Sequence, residues 1–441
     1  MGGCMLDRTV APEVHVGGEM AFPFLRSEVL GNGMHYHSLC EGSTPAVKVQ
    51  LLFPGGRSVQ ADKLESDAAL ALLTKGMKGA DAEAISRRVD YLGARFYSAA
   101  TPWYGKISLS CVVDKLDSAW ELLAGSLVSP SYDADYFEVW RKKQKAGAEI
   151  REQESSFLAS RALQSVLLAG HPLGRVVGPS DYDGLSLDGA KSFYGLHVLP
   201  RGARVLVSGG LDDGQEARVK EMLGSLAWGG DSSCVADLPP VETGRDTERL
   251  VLSEAPIGNQ VSVELGRLIP ELPLDEELDL RIAVMLLGGF FGSRLMRTIR
   301  EERGYTYGIH AYVARMAGGL QVTVSSEIGS QYILDALPAI REEMERLCVE
   351  LPSEVEMEVL RNYMHGMLLR SFDGVFNSVR QLRSLVVHPG LPSDYFAAYA
   401  DRIGSISAED IRTVAARWLA PSGFTLSAAG AVRELDGIKW G

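Results

Sequence analysis

The same order of features occurs twice along this chain, and that repetition constrains the fold more than any other property. Pro130 and Pro352, each followed by Ser, stand 222 residues apart. His171-Pro172 and His388-Pro389 are 217 apart, and Gly210 and Gly430, which close the apolar stretches RVLVSGG and FTLSAAG, are 220 apart. Three landmarks agreeing this closely imply two homologous halves of roughly 200 residues each. The division read from the sequence is an N-terminal half over 1–228, a linker over 229–247 and a C-terminal half over 248–441. The linker, GGDSSCVADLPPVETGRDT, is rich in Gly, Ser, Asp and Pro. Each half opens with an alternating strand, AVKVQLLF or QVSVELGRL, and offers a later one, KISLSCVV or LQVTVSSE. Each also contains two long helices separated by a Pro-Ser break. In the second copy Ile333, Leu334, Leu337, Ile340, Met344 and Leu347 form a one-sided apolar stripe, and Ser353 with Glu356 reads as a capping box. The expected fold class is therefore α+β. Each half is an antiparallel or mixed sheet covered by helices, and the two face each other across a cleft.

Charge and cysteine usage narrow the function classes. A net charge of −13 over 441 residues argues against nucleic acid or an anionic membrane as the main partner. Cys4, Cys40, Cys111, Cys234 and Cys348 are dispersed with no C-x-x-C, so no zinc knuckle or thioredoxin-like motif is expected. The sequence has no run of 18 apolar residues, so no membrane span is expected. The opening MGGCMLDRTVAPEVH has neither the charged nor the apolar region of a signal peptide. A cytoplasmic location is expected, or a periplasmic one if a signal has been removed.

One stretch carries chemistry. IREERGYTYGIH, residues 299–310, places Arg300, Arg303, Tyr305 and Tyr307 behind the pair Gly288-Gly289. Gly304 is positioned to end a helix and YTYGIHAYV to continue as a strand, with Tyr305 and Tyr307 on one face. Two readings are open. One is a salt-bridged helix surface, since Arg294, Arg297 and Arg300 recur every third residue beside Glu301 and Glu302. The other is a clamp for a polar, chain-like ligand. His35 and His37 could chelate from one strand face but bring no third ligand, and the other histidines are scattered.

The block GGFFGSRLMRTIREERGYTYGIHAYV resembles the second-half signature of the pitrilysin/insulinase family of zinc peptidases, and HPLGRVVGPSDYDGLS is similar to a first-half segment of that family. The resemblance spans roughly residues 20–435. Active members carry H-x-x-E-H on a first-half helix, two His for zinc and a Glu to polarise water. Setting Lys75-Gly76 against the pair that follows the motif places Asp67, Leu70 and Ala71 at the His, Glu and His positions. Glu149 takes the place of the distal zinc-ligand Glu. Of these degenerate zinc positions only Glu149 keeps its residue type, so no zinc or other cofactor is expected in this chain.

The family's two-subunit enzymes pair a zinc-bearing chain with one lacking zinc. The resemblance implies that this chain is of the second kind. It would be inactive alone, with no catalytic group in its own first half, and part of a heterodimeric metalloendopeptidase. Arg300 and Tyr307, seven residues apart, would reach the partner's active site and bind the peptide substrate. A zinc-bearing family member is then the expected partner. Residues 94–103, ARFYSAATPW, correspond to an edge strand that pairs with substrate in active relatives. The alternative is a structural or assembly protein of the same fold with no proteolytic role. A stand-alone peptidase with an unusual metal site has the least support, because no His/Glu cluster is evident.

Overall fold

The computed structural model describes residues 20–228, 239–244, 250–254, 259–388, 390–432, 435 and 440. The first sheet contains β1 (Arg26–Val29), β2 (His35–Cys40), β3 (Ala46–Pro54), β4 (Arg95–Ala100), β5 (Tyr104–Val112) and β6 (Arg204–Gly209). Its strand order is β1-β2-β6-β3-β5-β4. The second contains β7 (Leu250–Glu254), β8 (Gln260–Pro270), β9 (Thr306–Met316), β10 (Gly319–Gly329) and β11 (Thr425–Gly430), in the order β7-β11-β8-β10-β9. With β1 set aside, the two orders correspond strand for strand. In each, a parallel pair, β2/β6 or β7/β11, joins an otherwise antiparallel ladder. This is the mixed sheet that the repeated sequence landmarks call for.

Period-2 alternation explains which face each sheet buries. On β3, Val47, Val49, Leu51 and Phe53 enter one core with Leu70, Leu73, Leu109 and Trp120. The other half has its own core, in which Val261, Val263 and Leu265 of β8 meet Leu337, Ile340 and Met344. The helices over these cores carry the expected stop-and-start chemistry. Asp133 caps Ala134–Arg151 by accepting from the Tyr136 N–H at 2.7 Å. Ser353 and Glu356 form the capping box of Glu354–Ser371.

The opposite faces of the sheets are covered by an exchange of helices. Ser155–Leu167, from the first half, lies on the second sheet: its Ser155 hydroxyl meets that of Ser262 at 2.8 Å, and Ser427 donates to the Ala159 carbonyl at 2.8 Å. A Cβ on Gly266 would come within 2.7 Å of Leu167, so glycine there admits the helix. Val375–Val387, from the second half, lies on the first sheet and packs Val379 and Val386 against Leu52 and Leu206. The two exchanged helices differ by 220 in number, matching the sequence repeat.

Of the segment read as a linker, only 239–244 are described; 229–238 and 245–247, like Pro389 elsewhere in the chain, lie outside the described residues. The described part is held in place. Val241 is buried with Leu163, Leu167 and Leu168, its N–H donates to the Ala317 carbonyl at 2.7 Å, and His171 contacts the Pro239 carbonyl at 3.1 Å. An apolar side chain after two prolines has found an apolar seat against the crossed-over helix. The strand at 94–103 is shorter than its sequence pattern: β4 is an edge strand, but Pro102 falls in the turn beyond it. No described helix is long and apolar enough to cross a membrane.

Candidate functional site

The positions matched to a zinc motif lie on the helix Glu65–Leu73, but they gather no donor set. Asp67 is gripped by Arg57, whose Nε and Nη2 donate at 2.9 and 2.7 Å. The bidentate geometry suits a planar guanidinium and carboxylate. The Asp67 carboxylate is thus neutralised by a guanidinium. Leu70 is fully buried in the first core. Ala71 is half-buried, and Glu149 is exposed with no hydrogen bond or ion pair among the described residues. Among the described residues no three His, Cys, Asp or Glu side chains come close enough to hold a metal.

The second-half block is built differently. Wide, π-type turns span Met285–Gly289 and Met296–Glu302. Such turns insert an extra residue into helical geometry and displace side chains from the usual helical rows. Gly288 is demanded by packing, because a Cβ there would lie 2.8 Å from that of Ala311. Arg294 is buried and forms a two-pronged pair with Glu356 at 2.9 and 3.3 Å, fastening the segment to the capped start of Glu354–Ser371. Gly304 closes the turn with φ +67°, and the Tyr305 N–H donates back to the Ile299 carbonyl. The stop is the left-handed glycine cap the sequence suggests.

Tyr305 and Tyr307 do not share a face. Tyr305 precedes β9, stacks on Tyr332 with centroids 5.3 Å apart and packs against the second core. Tyr307 is 90% exposed. The reason is a bulge in β9, where Tyr307 and Gly308 together oppose Glu327 between the Ile309–Ser326 and Thr306–Ile328 pairs. There the Thr306 hydroxyl donates to the Glu327 carbonyl at 2.6 Å and accepts from the Gly308 N–H at 3.1 Å. A bulge of this kind re-aims the neighbouring side chains.

Tyr307 lines a cleft of about 450 Å³ between β8, β9, β10 and the start of the crossed-over helix Ser155–Leu167. Glu264, His310, Ser325, Glu327 and Ser156 also line it. Glu264 and His310 are both paired in register with Ser325, so they flank it across the sheet. Arg300 does not line this cleft. Its guanidinium lies over the Phe291 ring, 4.7 Å from the centroid, and makes no ion pair among the described residues. Sequence reasoning missed Glu264 and His310. The alternation in QVSVELG marks Ser262 and Glu264 as one face of a strand, but only the tertiary fold brings that face up to Tyr307.

Burial pushes the Glu264 carboxyl up to about 7, against a hydrogen bond with Ser160 that favours the ionised form. An acid whose folded value is raised stabilises the fold fully below its unfolded value near 4.5, and this contribution is lost as pH rises through about 7. Melting temperatures of the wild type and Glu264→Gln, compared from pH 4 to 8, should show the wild type losing ground to the variant across that window. A constant difference would place Glu264 in water.

Residues 184–364 match the family described as "Peptidase M16 inactive domain". A Streptomyces coelicolor protein described as an uncharacterized zinc protease is 23% identical over 78% of this chain and 76% of its own length. One from Bacillus subtilis with the same description is 21% identical over 68% of this chain and 72% of its own. A crystal structure titled as a peptidase M16 inactive domain, from Pseudomonas fluorescens, superposes with a TM-score of 0.82 at 21% identity, covering 92% of this chain and 98% of that one. A protease structure from Helicobacter pylori also reaches 0.82, at 16% identity, covering 93% and 100%.

Proposed function

We infer that this chain, a member of the M16 (pitrilysin/insulinase) peptidase family without that family's zinc-binding motif, is the non-catalytic, substrate-binding subunit of a two-chain zinc peptidase. The observation that carries the reading is a contrast between the halves. The helix that bears the motif in active relatives presents Asp67 locked to Arg57, a buried Leu70 and Ala71. In the other half Tyr307 stands exposed at the rim of an open polar cleft. A scaffold needs no such phenol held out by a bulge.

In the assembled enzyme the Tyr307 hydroxyl donates to the oxyanion formed on the scissile carbonyl, and Arg300 holds substrate carbonyls with its fork of donors. Arg300 would leave the Phe291 ring to do so. A cation–ring contact at an exposed site is worth only about 0.5–1 kcal/mol, so substrate can compete with it. The partner is a chain of the same fold that carries H-x-x-E-H, and its zinc supplies the activated water.

Reconstitution tests this. The pure chain should contain no stoichiometric zinc and cleave no peptide, and peptidase activity should appear only when a zinc-bearing family member is co-expressed with it. About one zinc per chain with chelator-sensitive cleavage by the chain alone would refute the reading. A stable two-chain complex whose activity does not depend on this chain would make it an assembly protein.

A further inference from the structure

A second cleft, of about 370 Å³, is not used by the peptidase reading. It opens where β1, β2 and β6 of the first sheet meet the exchanged helix Val375–Val387 and the loop after it. One side is apolar, with Leu25, Leu382, Leu385 and Val386. The other offers the nitrogen-bearing side chains His35, His37 and Arg204, and among the described residues no Asp or Glu lines the space. In a chain of net charge −13 that composition is selective.

Arg204 dominates the polar side of the cleft. It is half-buried at the start of β6, opposite His35 in the parallel register, and its side chain has no hydrogen bond or ion pair among the described residues. A guanidinium withdrawn from water without an anion is disfavoured, so such groups are normally paired. His37 does not compete for the anion. Its Nδ1 meets the Ser27 hydroxyl at 2.8 Å, and burial, with His35 and Arg204 nearby, holds the imidazole down to about 4. Arg204 supplies a permanent positive charge to the lining. The planar fork of arginine matches a carboxylate, and the volume falls at the small end of sites for organic ligands, about 300–1,000 Å³.

We propose that this cleft binds one amphipathic monocarboxylate, its carboxylate on the Arg204 guanidinium and its apolar chain along Leu382, Leu385 and Val386. Because Arg204 belongs to the first sheet and the leucines to the exchanged helix, the ligand fastens the two halves together. A medium-chain fatty acid and a peptide terminus ending in an aliphatic residue share this chemistry.

Isothermal titration of the full chain with decanoate and with N-acetyl-leucyl-leucine, each below its aggregation limit, distinguishes the two sources. Decanol and the dipeptide amide serve as uncharged controls. One acid should bind at a single site, at least about tenfold more tightly than its uncharged counterpart, since a hydrogen bond to a charged group is worth about that much or more. The tighter acid identifies the source. Arg204→Gln should weaken it about tenfold or more with the melting temperature little changed. Should that variant fail to fold, Leu385→Phe, which narrows the apolar side, must weaken the acid instead. Absence of saturable binding by both acids, equal binding of acid and control, or indifference to the substitution overturns the proposal. None of these readouts involves peptide cleavage, so the result is independent of the fate of the peptidase reading.

Discussion

Leu70→Glu, which puts a carboxylate at the position matched to the general base of the zinc motif, should destabilise the protein severely. Leu70 is completely buried, and its methyls lie about where a Cβ on Gly105 would touch them, at 3.0 Å. A carboxylate placed there has no cation or metal to meet, and an uncompensated buried charge is typically unfavourable by roughly 3–5 kcal/mol. In a half of this size that should lower the melting temperature by about 10 °C. Leu70→Met is the control and should stay within about 1.5 kcal/mol of wild type, because it conserves volume and apolarity. If the Glu variant melted with the Met variant, that helix face would be open to water and the packing described for it would be wrong. The expected outcome has a functional corollary. Reinstating His, Glu and His at Asp67, Leu70 and Ala71 should not recover zinc binding, because the surrounding core has closed over the middle position.

Tyr307→Phe in a reconstituted, active complex should lower kcat about 100-fold with KM little changed. The substitution removes one hydroxyl from a ring that is almost wholly in solvent, so the fold has nothing to lose. The loss falls on kcat because a bond to the oxyanion forms mainly in the transition state. Arg300→Ala should raise KM as well, since substrate carbonyls are held from the ground state onward. Tyr305→Phe should be close to silent in kcat, because its ring is used for stacking on Tyr332. Subunit association must be measured for each variant, as a dissociated complex would mimic a catalytic loss. An unchanged kcat for Tyr307→Phe in an intact complex would remove this chain from the chemistry.

Much of the architecture was legible because it rests on local rules applied twice. The alternating runs at 46–53 and 260–268 became the central strands β3 and β8. The Ser353–Glu356 capping box and the Gly304 stop appeared where residue type and spacing put them. These features depend on neighbours within a turn or a strand, and such interactions are written in short stretches of sequence. The shared face expected for Tyr305 and Tyr307 failed for a related reason. The period of a strand holds only while its register holds, and the bulge that sets Tyr307 and Gly308 together opposite Glu327 depends on pairing with the neighbouring strand, which YTYG does not record.

By itself, the sequence determined that the chain is duplicated, that each copy is a helix-covered sheet, and that Asp67, Leu70 and Ala71 cannot together supply two imidazoles and a carboxylate. Residue chemistry suffices for that, because no fold turns a leucine into a base. Only the tertiary structure decided that the copies exchange the helices Ser155–Leu167 and Val375–Val387. It also brought Glu264 up to Tyr307 and His310, and set Arg204 facing an apolar wall from the other half. Each of these joins residues more than 40 positions apart. The energy that selects them is burial of apolar surface, which is non-directional and leaves in the sequence no record of which distant face will be covered.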